Sequence, residues 1–275
     1  MRSSAAREYD LPDDRLAIQV PVDPNGLAYD CHDETLYVTD GGGAVIAIEQ
    51  GRLRRIATID AAGCLANQLG GIAATPDGTL YVARLGHGHA GAIFEIAPRG
   101  VVTQLPGLSA DAWRLGVAYD AHEHALYATR YHKIGGEACD GAIERIDLTS
   151  GVVDAVIEGL GKPVGVAKLG PTLVVTDARR GAVLRVEVAG GRAVRSSELA
   201  TGIDRPDSIA ACGIDAVVLT TFCADTGIGS VRKLWLDGTI ANIASGNWEP
   251  RGIASDGDRA FVSVRRGGRV LVIRT

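Results

Sequence analysis

GGIAATPDGTLYVARLGHGHAGAIFEI, residues 70–96, reads as three short β-strands. Residues 71–74 are small and apolar, Pro76-Asp77-Gly78 is a turn signal, and 80–84 alternates apolar residues with others at period two. After a loop carrying His87 and His89, residues 92–96 alternate again. The pattern then recurs along the chain.

Six copies are found. Asn25-Gly26-Leu27-Ala28 leads to 36–40 and 44–48, Leu115-Gly116-Val117-Ala118 to 126–130 and 142–146, and Val164-Gly165-Val166-Ala167 to 173–177 and 182–186. Asp207-Ser208-Ile209-Ala210 leads to 217–221 and 230–234, and Arg251-Gly252-Ile253-Ala254 to 260–265 and 269–273. Successive copies start 43 to 49 residues apart, a propeller-blade period. Most continue into a fourth strand, such as 101–105 or 152–157, but the sixth stops at Thr275. An unpaired strand-like segment, 15–22 with its centre at 16–20, lies ahead of the first copy. It is expected to supply the outer strand of the last blade and close the ring. The chain is therefore read as all-β, one six-bladed β-propeller domain over 1–275, with blades starting near 25, 70, 115, 164, 207 and 251.

Composition agrees. Thirty-six glycines are about twice average usage, as a turn-rich fold requires, and 22% charged residues suit a packed core. A net charge of -5 argues against a nucleic-acid partner. No apolar run has spanning length and the N-terminus lacks a signal-peptide centre, so no membrane partner and a cytoplasmic location are expected. Cys31, Cys64, Cys139, Cys212 and Cys223 show no zinc spacing and are read as reduced thiols.

Blade geometry sorts the candidate residues. Residues entering the first strand of a blade and leaving its second meet at one mouth of the channel, with the strand two-to-three loops and the blade connections. His32, His122 and His124 fall in turns at the far end. His87, His89 and His132 fall at the mouth, where with Glu137 they form a candidate transition-metal or acid-base site. Arg84, Arg130, Arg251 and Arg265 come from different blades and are expected to point into one funnel that takes a carboxylate or phosphate. Trp113 and Trp248, in blade connections, are candidate walls for an organic ligand, against the alternative of burial at a blade junction. Cys139 and Cys223 are weaker candidates as nucleophiles, with no histidine and carboxylate pattern beside them.

The repeated G-[IVL]-A … [LV]-Y-V-x-[DR] pattern, with Pro24-Asn25-Gly26-Leu27 and Arg205-Pro206-Asp207-Ser208, resembles the gluconolactonase and senescence-marker-protein superfamily of six-bladed propellers. That superfamily also includes organophosphate hydrolases and strictosidine synthases; the seven-bladed streptogramin B lyases have a similar strand signature. The resemblance implies hydrolysis of a lactone or ester, and a divalent cation such as calcium held at the mouth by carboxylates and amides. Asn25 and Asp207 match those positions; Gly70, Leu115 and Val164 offer no donor, and Arg251 repels a cation. The reading is an enzyme for a small anionic molecule, most simply a lactone or ester hydrolase. The alternatives are a lyase or cyclase using the histidines, or a non-catalytic binding propeller.

Overall fold

Six β-sheets of four strands each are formed by residues 17–61, 67–265 and 267–275, the parts of the chain that the computed structural model describes. The first strand, β1 (Ala17–Gln19), belongs to the last blade. Blade one is β2 (Pro24–Asp30), β3 (Thr35–Asp40), β4 (Ala44–Glu49) and β5 (Arg52–Thr58). Blade two is β6 (Leu69–Ala74), β7 (Leu80–Arg84), β8 (Ala92–Ile96) and β9 (Val102–Gln104). Blade three is β10 (Val117–Asp120), β11 (Ala125–Ile134), β12 (Glu137–Asp147) and β13 (Val153–Leu160). Blade four is β14 (Pro163–Leu169), β15 (Thr172–Asp177), β16 (Ala182–Ala189) and β17 (Arg192–Ala200). Blade five is β18 (Pro206–Ala211), β19 (Ala216–Cys223), β20 (Ile228–Trp235) and β21 (Ile240–Gly246). Blade six is β22 (Glu249–Ser255), β23 (Arg259–Arg265) and β24 (Arg269–Arg274), completed by β1.

The ring closes as the missing sixth outer strand requires. Ala17, Ile18 and Gln19 pair antiparallel with Leu271, Val270 and Arg269, and the Val20 amide donates to the Gly268 carbonyl at 2.7 Å. Residues 15 and 16 of that segment, and Cys64, lie outside the described residues. Between neighbouring blades the alternating apolar faces interlock. Tyr37 and Val45 of blade one pack with Ile72, Val82 and Phe94 of blade two, all buried. Each such side chain taken from water contributes about 1.5–3 kcal/mol before chain entropy is subtracted.

At the centre the inner strands approach so closely that only a residue without a Cβ fits. A Cβ on Gly26 would lie 2.0 Å from the Gly70 carbonyl oxygen, and one on Gly252 would lie 2.1 Å from that of Asn25. Blade five has Ser208 at this point, and its hydroxyl accepts from the Ile253 amide of the next inner strand at 3.3 Å.

A second device, not anticipated from the sequence, stitches the inner strands together. In five of the six blades the second strand carries a buried hydroxyl that accepts from the amide of its own inner strand and donates to the carbonyl of the next blade. Thr39 joins Gly26 to Gly70 (2.8 and 2.7 Å), and Thr220 joins Ser208 to Arg251 (3.1 and 3.1 Å). Thr129, Thr176 and Ser263 do the same for Val164, Asp207 and Asn25. In blade two Ala83 stands in this place, and the Gly71 amide reaches the Leu115 carbonyl directly at 2.6 Å. The carbonyls so held belong to the residues that ring the mouth, so the clips fix the site's backbone.

One stretch read as loop is strand. Residues 131–141 extend β11 and β12 into a long hairpin with Ile134 opposite Glu137, closed by Gly135-Gly136 at φ 59° and 87°. Adjacent glycines with positive φ make the tight turn whose twist matches paired strands.

Candidate functional site

The mouth residues are Asn25, Gly70, Leu115, Val164, Asp207 and Arg251, each one position before the crowded point where the inner strands meet. They line the upper channel, a cavity of ≈ 60 Å³. A second cavity of ≈ 80 Å³ opens above it toward blades four to six. Its charged wall is Lys162, Arg205, Asp207, Glu249 and Arg251, and Leu115, Val164 and Phe222 supply apolar surface. Asp207 and Arg251 belong to both cavities.

Three of these charges arrive by the same route. Lys162-Pro163, Arg205-Pro206 and Glu249-Pro250 each place a long charged side chain immediately before a proline that starts or nearly starts an inner strand. A long charged residue before proline is the sequence signal for Lys162 and Arg205, two positions ahead of the repeat's own Val164 and Asp207.

Asp207 sits among cations. Arg251 Nη1 lies 3.9 Å from its carboxylate, and Arg251 Nη2 lies 2.6 Å from Glu249, whose Oε1 also meets Arg265 Nη1 at 3.1 Å. Burial in the funnel pushes the Asp207 carboxyl above the usual carboxylate range, opposed by Arg251, Lys162 and Arg205. Its side chain keeps 33% of its surface open, so water softens the effect. Lys162 is driven the other way: burial, reinforced by the charges of Lys133, Arg205 and Arg251, pulls its ammonium below the usual lysine value, and Asp207 resists. A carboxyl pushed up and an amine pushed down in one cavity have their proton affinities drawn toward each other.

Beside the cavity stands an aromatic rim built by the blade-three hairpin. Tyr131 pairs with Trp113, and their rings stack at 5.9 Å. Lys133 lies over the Trp113 ring at 4.0 Å, and His87 meets its edge at 5.0 Å. Lys162 approaches the Tyr131 ring at 5.8 Å, linking rim to cavity.

The expected arginine ring is not one funnel. Arg84 is buried, donating to the Ala90 carbonyl at 2.7 Å and packed over Phe94, which makes it a brace for its own loop. Arg130 is paired with Glu144 at 2.9 Å, Asp140 at 3.1 Å and Glu158 at 3.3 Å. Arg265 is displaced by register: β23 places Val264 opposite Pro250, where the other blades have their closing residue, and Arg265 falls opposite Glu249 one step farther on. A one-residue offset reverses the face a side chain presents. Of the four, Arg251 alone lines the cavity. Trp248 is 2% exposed in the core between blades five and six and is not a ligand wall; Trp113 is partly open at the rim.

The histidines are likewise dispersed. His87 occupies a left-handed position (φ 50°) in the short turn Gly86–Gly88 against Trp113, and His89 is exposed. His132 is held by Asp140 at 3.2 Å, on the strand position between Tyr131 and Lys133, and Glu137 is exposed at the hairpin tip. Among the described residues, no three His, Cys, Asp or Glu side chains are placed to hold a metal ion. The donor set of the lactonase pattern does not fit a divalent cation either. Asn25 spends its amide N–H on the Leu69 carbonyl, and Arg251 both pairs with Asp207 and comes between the two residues in blade order.

No family model and no curated protein matches the sequence. Solved structures do. A gluconolactonase from Xanthomonas campestris is similar with a TM-score of 0.74 at 15% identity, over 94% of this chain and 88% of that one. A calcium-binding regucalcin from Agrobacterium tumefaciens is similar at 0.69 and 16%, over 93% and 92% of the two chains. Virginiamycin B lyase from Staphylococcus aureus is similar at 0.65 and 15%, over 98% and 100%. At these identities the likeness shows a shared propeller fold, the one expected from the repeat.

Proposed function

We propose that the chain is an enzyme that hydrolyses a small lactone or ester bearing an anionic group, working at the channel mouth with Asp207 as general base. The observation that carries this is Asp207 lining a cavity whose other charges are chiefly cationic, with Arg205 and Arg251 on the same wall. Arg205 and Arg251 hold the substrate's anion; a guanidinium fork matches a carboxylate. Asp207 takes a proton from water as its oxygen attacks the carbonyl carbon, and Lys162 donates to the carbonyl oxygen as charge builds there. When the ring or ester C–O bond breaks, the departing oxygen receives the proton back from Asp207. No step needs a metal, and the donors present do not favour one. The fold shared with a gluconolactonase supports the reaction class. A lyase working through His87, His89 and His132 has less support, because those side chains do not share one centre.

Turnover by the purified protein of a panel of neutral and carboxylate-bearing lactones and esters tests the reading. Faster hydrolysis of the anionic members is expected, with Asp207→Asn lowering kcat by about 100-fold or more. No turnover across the panel overturns it.

A further inference from the structure

Lys162 is chemically unlike the other lysines of the chain. The sequence holds four, Lys133, Lys162, Lys168 and Lys233. Lys168 is paired with Asp120 at 2.7 Å, Lys133 rests on Trp113 at 4.0 Å, and Lys233 lies over Trp235 at 5.3 Å. Lys162 alone lines the cavity, and among the described residues its Nζ has no carboxylate within ion-pair distance. Its stem is partly buried, and of its charged neighbours Asp207 resists loss of the proton while Lys133, Arg205 and Arg251 favour it. An amine crowded by cations and short of water is poorly built to stay an ammonium and well built to be a nucleophile.

We propose that Lys162 condenses through Nζ with the carbonyl of a small oxo acid, so that the cavity is an imine-forming site as well as a hydrolytic one. The proposal rests on the anion-holding cavity of the preceding section and not on ester cleavage. Arg205 and Arg251 fix the carboxylate of the oxo acid, and the adjacent carbonyl then lies toward the amine. The Nζ lone pair forms the C–N bond while the carbonyl π electrons move to oxygen, which takes a proton from the Asp207 carboxyl. The resulting carbinolamine loses a proton from nitrogen to Asp207. It then expels its hydroxyl as water, using that proton, and the iminium so formed returns its N–H proton to Asp207, which leaves the imine. The net change is one amine and one carbonyl becoming one imine and one water, with no oxidant or reductant. The same approach of Nζ to a carbonyl serves both reactions. An ester receives a hydrogen bond from it, and a ketone is captured by it. The direction of the Lys162 shift fits, since its amine form is reached at lower pH than for an exposed lysine.

Pyruvate or 2-oxoglutarate with sodium cyanoborohydride is the test, since hydride addition to the imine carbon leaves a stable secondary amine. Intact-mass measurement should show one adduct per chain, and peptide mapping with a glutamate-specific protease should place it on Lys162. Lys162→Arg, which keeps charge and length, should retain the wild-type melting temperature and lose the adduct. Arg205→Ala should raise the pyruvate concentration for half-labelling about tenfold or more. An adduct that persists in Lys162→Arg, or labelling spread evenly over Lys133, Lys168 and Lys233, overturns the proposal. So does calorimetric binding of pyruvate without any adduct, a result that leaves the anion-holding cavity standing. Ester turnover, measured separately, fails or survives independently.

Discussion

Two charged clusters, one in blade three and one at the mouth, look alike in the sequence. In blade three, Arg114 is fully buried and reaches Glu144 at 2.5 Å, and Arg130 takes the other oxygen of the same carboxylate at 2.9 Å. At the mouth, Arg251, Arg205 and Lys162 surround Asp207 and Glu249. The first cluster spends its charges on one another, with Asp140 and Glu158 completing the set around Arg130. The second leaves Arg205 and Lys162 without ion-pair partners among the described residues. An arginine at the end of a blade strand therefore says little about ligands until its partners are counted. Charges left over beside a cavity point to a ligand, and charges used up point to architecture.

The sharpest way to break this contrast is to neutralise the central carboxylate of each cluster. Glu144→Gln leaves the buried Arg114 guanidinium facing a neutral amide and takes one of its three carboxylate partners from Arg130, and is expected to cost about 3–5 kcal/mol of stability, read by urea denaturation. The folded fraction should keep its full turnover. Asp207→Asn should do the reverse, losing about 100-fold or more in kcat without loss of stability. If Glu144→Gln abolished turnover in protein that still melts normally, the blade-three cluster would be catalytic and the contrast would collapse.

How far the sequence spoke follows the same line. The fold was legible because the blade repeat depends on short-range alternation and on glycines that sterics make obligatory, as at Gly26 and Gly252. The closing strand at Ala17–Gln19 was legible because an unpaired edge must be covered. The site was only half legible. Asp207 and Arg251 fell out of the alignment, but whether Arg84 or Arg130 faces the mouth depends on partners far away in sequence, such as Phe94, Glu144 and Glu158. Arg265 differs from the repeat by a single residue of register, and the Gly135-Gly136 turn is hidden in a stretch that reads as loop.

The hydroxyl clips offer a smaller test of how the mouth is held. Thr176 accepts from the Gly165 amide at 2.8 Å and donates to the Asp207 carbonyl. Thr176→Val keeps the shape and strands both groups, at an expected cost of about 1–3 kcal/mol in denaturation, with a fall in kcat because Asp207 loses its anchor. The equivalent position in blade two already lacks a hydroxyl, so Ala83→Ser should change neither quantity by as much.

The smallest effect is the most discriminating, and it concerns pH. Burial raises the Asp207 carboxyl, so the folded chain holds that proton more tightly than the unfolded chain does, whose carboxyl titrates near about 3.9. Between that value and the higher folded one, the folded state binds more protons, and stability must fall as pH rises through the window. Above the window the cost is fully present. Asparagine carries no such charge, and Arg251 keeps Glu249 at 2.6 Å as a partner when Asp207 is neutralised. Melting temperatures taken from pH 4 to pH 8 should therefore show Asp207→Asn drawing level with wild type at the acid end and exceeding it near neutrality. Such a gain in stability with a loss of turnover marks a group kept for function at the fold's expense. A variant that is less stable than wild type at neutral pH would make Asp207 the counterpart of Glu144, a structural counter-ion for Arg251, and the mouth would lose its standing as the chain's open cluster.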